Sequence, residues 1–150
     1  ARRIAEKLNV HSAHIFEVCK LIGALVNEYD VLVLGSSTWG AGELQDDWYD
    51  GVNVLKKCDL SHKYVALFGC GDSDSYSDTF CDAIGIIYED LKDTHCKFCG
   101  AVDTAGYTFD SSIAVVDGKF VGLPIDEVNE DNQTEERISA WAEQVKQEIS

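Results

Sequence analysis

The chain has 150 residues, 45% hydrophobic and 26% charged, with a single proline; this supports one packed core without disulfide or metal staples and excludes a low-complexity chain. Twelve Lys and Arg against 27 Asp and Glu leave a formal net charge of −15, which repels nucleic-acid phosphates and anionic lipid and attracts basic protein surfaces. No apolar run reaches membrane-spanning length, so neither nucleic acid nor membrane is expected as a partner.

Residues 1–9 place Ile4 and Leu8 four apart, the spacing of one helix face. Ala13 to Val18 is a short apolar stretch that reads as an edge strand. Val31-Leu32-Val33-Leu34-Gly35 is continuously apolar, as a strand buried on both faces is, and Tyr64-Val65-Ala66-Leu67-Phe68-Gly69 repeats the design. Between them, Leu44, Trp48, Val52 and Leu55 fall at helical spacing, as do Phe80, Ala83, Ile84, Ile87 and Leu91 within Thr79–Leu91. A strand is predicted over Cys96–Val102 and a last helix from Thr134 through Ile149. Strand alternating with helix implies parallel pairing through crossovers, hence an α/β class with a three-layer sheet. Residues 100–132 interrupt the alternation with Gly106, Gly118, Gly122 and Pro124, and only Lys119–Leu123 there resembles a strand. Such a length suits an elaborated insertion within a domain that spans 1–150.

The six cysteines lie in apolar or helix-like stretches and read as free thiols of a reducing, cytoplasmic compartment. Cys96 and Cys99 form a CxxC, but in a strand positions three apart face opposite ways, and neither a second CxxC nor a suitably spaced histidine accompanies it. No metal site is expected.

In an open parallel sheet ligands bind past the carboxyl ends of the strands, which here means the segments after Gly35 and Gly69. The first is Ser36-Ser37-Thr38-Trp39-Gly40-Ala41-Gly42-Glu43 and the second Cys70-Gly71-Asp72-Ser73-Asp74-Ser75-Tyr76-Ser77-Asp78-Thr79-Phe80-Cys81. Each sets one large aromatic among small hydrogen-bonding residues. A lone loop aromatic more often caps a sheet, but two at matching positions, with glycines alongside, suit a flat ring enclosed between them. Glu43, Asp46, Asp47, Asp50, Asp72, Asp74, Asp78 and Asp82 crowd around both loops.

These residues, from Tyr29-Asp30-Val31 through Trp39-Gly40, then Gly42-Glu43-Leu44-Gln45-Asp46-Asp47-Trp48, then Phe68-Gly69-Cys70-Gly71-Asp72 to Tyr76, Phe80, Cys81, Asp82 and Ala83, resemble those of the flavodoxins. Flavodoxins are small acidic electron carriers that bind flavin mononucleotide (FMN). The likeness runs from Ile4 to the last helix, and the segment with Gly106-Tyr107, Asp117–Leu123 and Ile125-Asp126-Glu127 resembles the one that splits the fifth strand in long-chain members. The resemblance implies a doubly wound parallel sheet of order 2-1-3-4-5. The family's first strand and its Thr/Ser-x-Thr-Gly-x-Thr phosphate loop have no counterpart here, which predicts a slot between Ala13–Val18 and Val31–Gly35.

By the same resemblance Trp39 and Tyr76 would stack on the two faces of the isoalloxazine, and Ser36, Ser37 and Thr38 would meet the ribityl or phosphate side. The backbone around Cys70, Gly71, Asp72 and Cys81 would bond the pyrimidine edge, and Asp78 and Phe80 are counted among the cofactor-binding residues without a more specific role. The Gly40–Ala41 peptide would turn over on one-electron reduction, offering its carbonyl to the flavin N5–H. A carboxylate about 10 Å from the reduced ring, at an effective dielectric of about 20, costs on the order of 1.7 kcal/mol, so the acids should depress the hydroquinone potential. The implied function is a low-potential one-electron carrier that cycles between semiquinone and hydroquinone. As a monomer it would dock on a basic reductase and basic acceptors, and it would not be an enzyme. Two other readings are a response-regulator-like signalling domain without flavin and an FMN-dependent reductase.

Overall fold

A computed structural model describes residues 1–150. Its central sheet is built on two parallel strands, β1 (Val31–Trp39) and β3 (Tyr64–Cys70), in continuous register from Val31↔Tyr64 to Ser37↔Cys70. The short β2 (Glu43–Leu44) folds back antiparallel on the end of β1, pairing Trp39 with Glu43. On its far side β3 carries two parallel partners in succession, β4 (Lys97–Cys99) along Tyr64–Ala66 and β8 (Leu123–Ile125) along Phe68–Cys70. One strand position is therefore filled by two separate pieces of chain. Between them, β5 (Val102–Asp103), β6 (Val115–Val116) and β7 (Lys119–Phe120) make a small antiparallel sheet of order β5-β7-β6.

The alternation of a pleated strand sorts its side chains into two apolar layers. Leu32, Leu34, Val65 and Leu67 join a core with α3 (Asp47–Lys56) and α4 (Asp82–Leu91), whereas Ala66 joins a second with α1 (Arg2–Lys7) and α5 (Asp131–Ile149). Helices on both faces of a mostly parallel sheet give the three-layer α/β arrangement of the flavodoxin-like fold. A short α2 (Gly23–Asn27), absent from the sequence reading, precedes β1.

Four boundaries depart from expectation. Ala13–Val18 is not an edge strand; it runs between single 3-10 turns at Ser12–His14 and Val18–Lys20. A strand needs a neighbour for its backbone groups, and here they close locally, His14 N–H on His11 C=O at 2.9 Å and Ile15 N–H on Ser12 C=O at 3.1 Å. Along Val31–Ser37 the edge of β1 away from β3 carries no strand. A cavity of about 940 Å³ lies beside it, lined by apolar residues such as Ile4, Leu8, Ile15 and Phe16. Leu44 belongs to β2, so the helix predicted to begin there starts at Asp47. The Cys96–Val102 strand stops at Cys99, because Gly100 takes φ +79° and delivers the chain to the small sheet. Finally, Lys119–Leu123 divides between two sheets at Gly122, where a Cβ would lie 2.2 Å from the Leu67 carbonyl oxygen.

The 101–122 segment is fastened by an aromatic cluster in which Phe80 stacks on Phe109 at 5.7 Å and meets Phe120 edge-on at 6.1 Å. Arg137 of α5 sets its guanidinium 4.0 Å above the Tyr107 ring and donates to the Gly106 carbonyl at 2.9 Å. Burial pushes the Tyr107 phenol up to about 12, so it stays a donor and bonds the Pro124 carbonyl at 2.9 Å.

Candidate functional site

The sheet register fixes the site. Ser37 pairs with Cys70 and Cys70 with Ile125, so three parallel strands end side by side and release their loops at one edge. The loops are 40–42, 71–81 and 126–130, and they lie where doubly wound sheets bind ligands.

The first loop is a tight reversal into β2, with Gly40 at φ +52° and Gly42 at φ +97°, a geometry that favours glycine. It packs on the start of α4, since a Cβ on Gly42 would come 2.8 Å from Asp82 Oδ2. Thr38 turns its hydroxyl inward to accept the Ala83 N–H at 3.2 Å. Ser36 is buried with its hydroxyl on the Ser37 carbonyl at 2.9 Å, while Ser37 and Ala41 are exposed. Trp39 stands 45% exposed, unlike Trp48 and Trp141, whose indole N–H groups bond the Gly35 and Gly100 carbonyls.

The second loop carries Tyr76, 46% exposed. Its shape comes from Asp72, whose Oδ1 accepts from the Ser75 N–H at 2.9 Å, the Asp74 N–H at 3.1 Å and the Asn129 amide at 2.8 Å. These bonds, the Ser75 N–H first, hold the Asp72 carboxyl below the usual carboxylate range. Gly71 donates its N–H to the Ile125 carbonyl at 2.9 Å. Further along, Asp110 and Ser111 donate their N–H groups to the Ser77 carbonyl at 2.8 and 3.0 Å, and the Ser77 hydroxyl bonds Asp110 at 2.8 Å.

Of the residues singled out from sequence, Ser37, Thr38, Trp39 and Cys70 lie at the ends of β1 and β3, and Gly40, Ala41, Gly71, Asp72 and Tyr76 on the two loops that follow them. Asp78 is exposed on the descending limb. Phe80 is fully buried in the aromatic cluster, and Cys81 is fully buried as the left-handed residue before α4, its thiol pushed up by burial. The Phe80 N–H is taken by the Ser111 carbonyl at 3.3 Å, and neither side chain is exposed to a ligand.

The sequence reading missed the third loop. Asp126, completely buried after β8, accepts from the Ser73 N–H at 3.1 Å, the Val128 N–H at 3.1 Å and the Asn129 N–H at 3.0 Å, and from the Ser73 hydroxyl. An Asp with an Asn three residues on, directly after a strand, is a turn signature that could have found it.

The arrangement suits a flat aromatic ligand: two half-exposed rings on loops that are otherwise bonded shut, with exposed glycine backbone beside one of them. An acidic rim surrounds it, with Glu43, Asp46, Asp47, Asp74 and Asp78 all exposed.

Comparison with known proteins agrees. The flavodoxin family model matches residues 1–141. A flavodoxin from Helicobacter pylori is 45% identical over 148 residues, covering 97% of this chain and 89% of its own length. Flavodoxin 1 of Azotobacter vinelandii is 45% identical over 124 residues, 81% of this chain and 71% of its own. Among solved structures, a Fusobacterium nucleatum flavodoxin bound to FMN superposes with a TM-score of 0.89 at 27% identity, covering 98% of this chain and 87% of that one. By sequence and by structure, this chain belongs to the flavodoxin family of electron-transfer proteins.

Proposed function

We propose that the protein carries single low-potential electrons on bound FMN, between the semiquinone and the hydroquinone. The observation that carries this reading is the pair of half-exposed rings, Trp39 and Tyr76, on loops leaving adjacent strand ends. The FMN-bound state of the Fusobacterium nucleatum relative supports it.

In this reading Trp39 and Tyr76 cover the faces of the ring and exclude water from it. Ser36, Ser37 and Thr38 lie toward the ribityl or phosphate side, and the main chain around Cys70, Gly71, Asp72 and Cys81 supplies the polar edge. The Gly40–Ala41 peptide is the natural one to reorient toward a protonated flavin nitrogen, because Gly40 sits at positive φ without strain. FMN supplies the one-electron chemistry; the protein sets which charge state is cheapest to hold. Carboxylates around the loops, Asp78 among them, penalise negative charge on the ring and so lower the potential of the second electron.

The same rim gives the docking surface for basic redox partners, with the chain as a monomer of one domain over 1–150 and an insertion at 100–132. The six free thiols fit a reducing cytoplasm. No helix is long and apolar enough to cross a membrane.

An FMN titration followed by quenching of flavin fluorescence tests the reading. Saturable one-to-one quenching is expected, and its absence would overturn the assignment. Oxidation of a reduced nicotinamide by the purified FMN-loaded protein alone would favour a reductase instead; a requirement for a separate reductase is the expected outcome.

A further inference from the structure

We infer that Asp126 is a positioning residue, holding the Asp72–Tyr76 turn so that the Tyr76 ring faces the ligand crevice; this rests on the flavin reading above. Its carboxylate is completely buried, and a buried charge is costly unless it is hydrogen-bonded, so its retention there must come from its bonds. They run in two directions. Oδ2 faces the Tyr76 loop, accepting from both the backbone and the hydroxyl of Ser73. Oδ1 faces its own turn, accepting from the N–H groups of Val128 and Asn129 at 3.1 and 3.0 Å.

A third path goes through Asn129. Its side-chain amide donates to Asp126 Oδ2 at 3.0 Å and to Asp72 Oδ1 at 2.8 Å, linking the buried carboxylate to the acid that shapes the turn. Asp72 in turn holds the N–H groups of Asp74 and Ser75, and its carbonyl accepts the Tyr76 N–H at 3.0 Å. From Asp126 to the Tyr76 backbone every step is thus a hydrogen bond. Burial raises the Asp126 pKa, but the bonds from Ser73 and Asn129 outweigh it and leave the group below the usual carboxylate range.

Every partner of Asp126 is a donor, so the site needs an acceptor on both oxygens. Asparagine has the same shape and must turn its NH₂ toward either the Ser73 pair or the Val128–Asn129 pair. Asp126→Asn therefore opens no cavity yet leaves buried donors unpaired. Asn129→Ala removes the side-chain bridge between Asp126 and Asp72 but leaves the backbone and Ser73 donors to Asp126 in place, and serves as the milder second variant if the first folds poorly.

The test has two arms, with Tyr76→Ala as reference. In protein without FMN, hydrogen exchange at the amides of Ser73 to Tyr76 should speed up at least about tenfold in Asp126→Asn, and less in Asn129→Ala, while β1 and β3 amides keep their protection. In FMN titrations Asp126→Asn should raise the dissociation constant about tenfold and shift the visible absorption of bound flavin in the direction seen for Tyr76→Ala. Combined with Tyr76→Ala it should add little further loss, because it acts through that ring. Unchanged exchange in both variants, or losses that simply add, would overturn the positioning role. Failure of the unmodified protein to bind FMN would instead overturn the flavin reading and the role built on it, a result separable from unchanged binding in the variants.

Discussion

The hydroxyl of Thr38 accepts the backbone N–H of Ala83 at 3.2 Å, joining the residue before Trp39 to the first turn of α4. Helix α4 has Cys81 at its N-cap, in left-handed conformation and with no side-chain cap of its own. One of its orphan donors is thus satisfied from a different loop. Thr38→Val, equal in shape but lacking the acceptor, should cost about 0.5–2 kcal/mol in denaturant unfolding, the range for losing a cap, and Thr38→Ser should recover most of it. Equal midpoints for the valine variant and the parent would show that this bond contributes nothing.

Trp39→Ala should leave stability nearly unchanged, because the ring is half-exposed, but should weaken FMN. The lost stacking is worth about 0.5–1.5 kcal/mol beyond area burial, or roughly two- to tenfold in dissociation constant before the area term is added. Trp39→Phe should fall between. Were the affinity to survive the alanine change, Trp39 would be a surface residue with no part in the site.

The acidic rim makes a separate claim about potential and docking. Asp46, Asp47 and Asp78 are exposed, so replacing all three by Asn disturbs little packing. The second-electron potential should rise by some tens of millivolts in dilute buffer, and the rise should shrink as salt screens the charges. Association with a basic partner should slow in the same variant and lose much of its ionic-strength dependence. A potential that stays put at low salt would dismiss the electrostatic account.

How much of this was legible in the sequence follows from which interactions are local. The continuous apolar runs at Val31–Gly35 and Tyr64–Gly69 announced two buried parallel strands, and the loops after them were readable as the candidate site because strand ends and ligand crevices coincide in such sheets. Trp39 and Tyr76 stood out for the same reason. Ala13–Val18 misled because its composition is strand-like while its backbone hydrogen bonds close in local 3-10 turns. Asp126 escaped because its role depends on Ser73, 53 positions earlier in the chain, and no local pattern reports such a pairing. Likewise Phe80 could be placed near the site but not seen to face the core, since the rings that enclose it arrive from the 101–122 segment.

Asp82 should oppose stability at neutral pH. It is buried at the start of α4, and burial raises its pKa despite the Ile113 N–H that bonds Oδ1 at 3.0 Å, with nearby Asp78 adding to the rise. An acid with a raised folded-state pKa binds its proton more tightly when folded. Its penalty is fully present above the folded-state pKa, declines as pH falls through that value, and is gone below the unfolded-state value. Asp82→Asn keeps an oxygen for Ile113 and removes the charge, so it should raise the unfolding midpoint at pH 7 and lose that advantage near pH 3. A variant destabilised at pH 7 but not near pH 3 would mean that the charge itself holds the structure, and one destabilised at both that the carboxyl's hydrogen bonding outweighs the burial penalty.

Gly85 offers a test in which two rules of thumb disagree. It lies in α4, where Gly→Ala ordinarily gains about 1 kcal/mol of helix propensity. A Cβ there, however, would sit 2.7 Å from the backbone of Ile113 and Ala114, so the 101–122 segment rests on this helix by main-chain contact at a residue without a side chain. Backbone cannot yield as a flexible side chain can. Ala114 is itself fully buried, and its carbonyl accepts the Val121 N–H at 2.9 Å, so moving Ile113–Ala114 would pull on the approach to β8 and, through it, on the Asp126 turn. Gly85→Ala should therefore destabilise the protein by about 1–3 kcal/mol, the usual cost of overpacking, and weaken FMN by way of the loops. Chemical denaturation decides between the rules: a stabilised variant would show that the segment lies on α4 loosely enough to shift, and that the loops behind it do not depend on its seat.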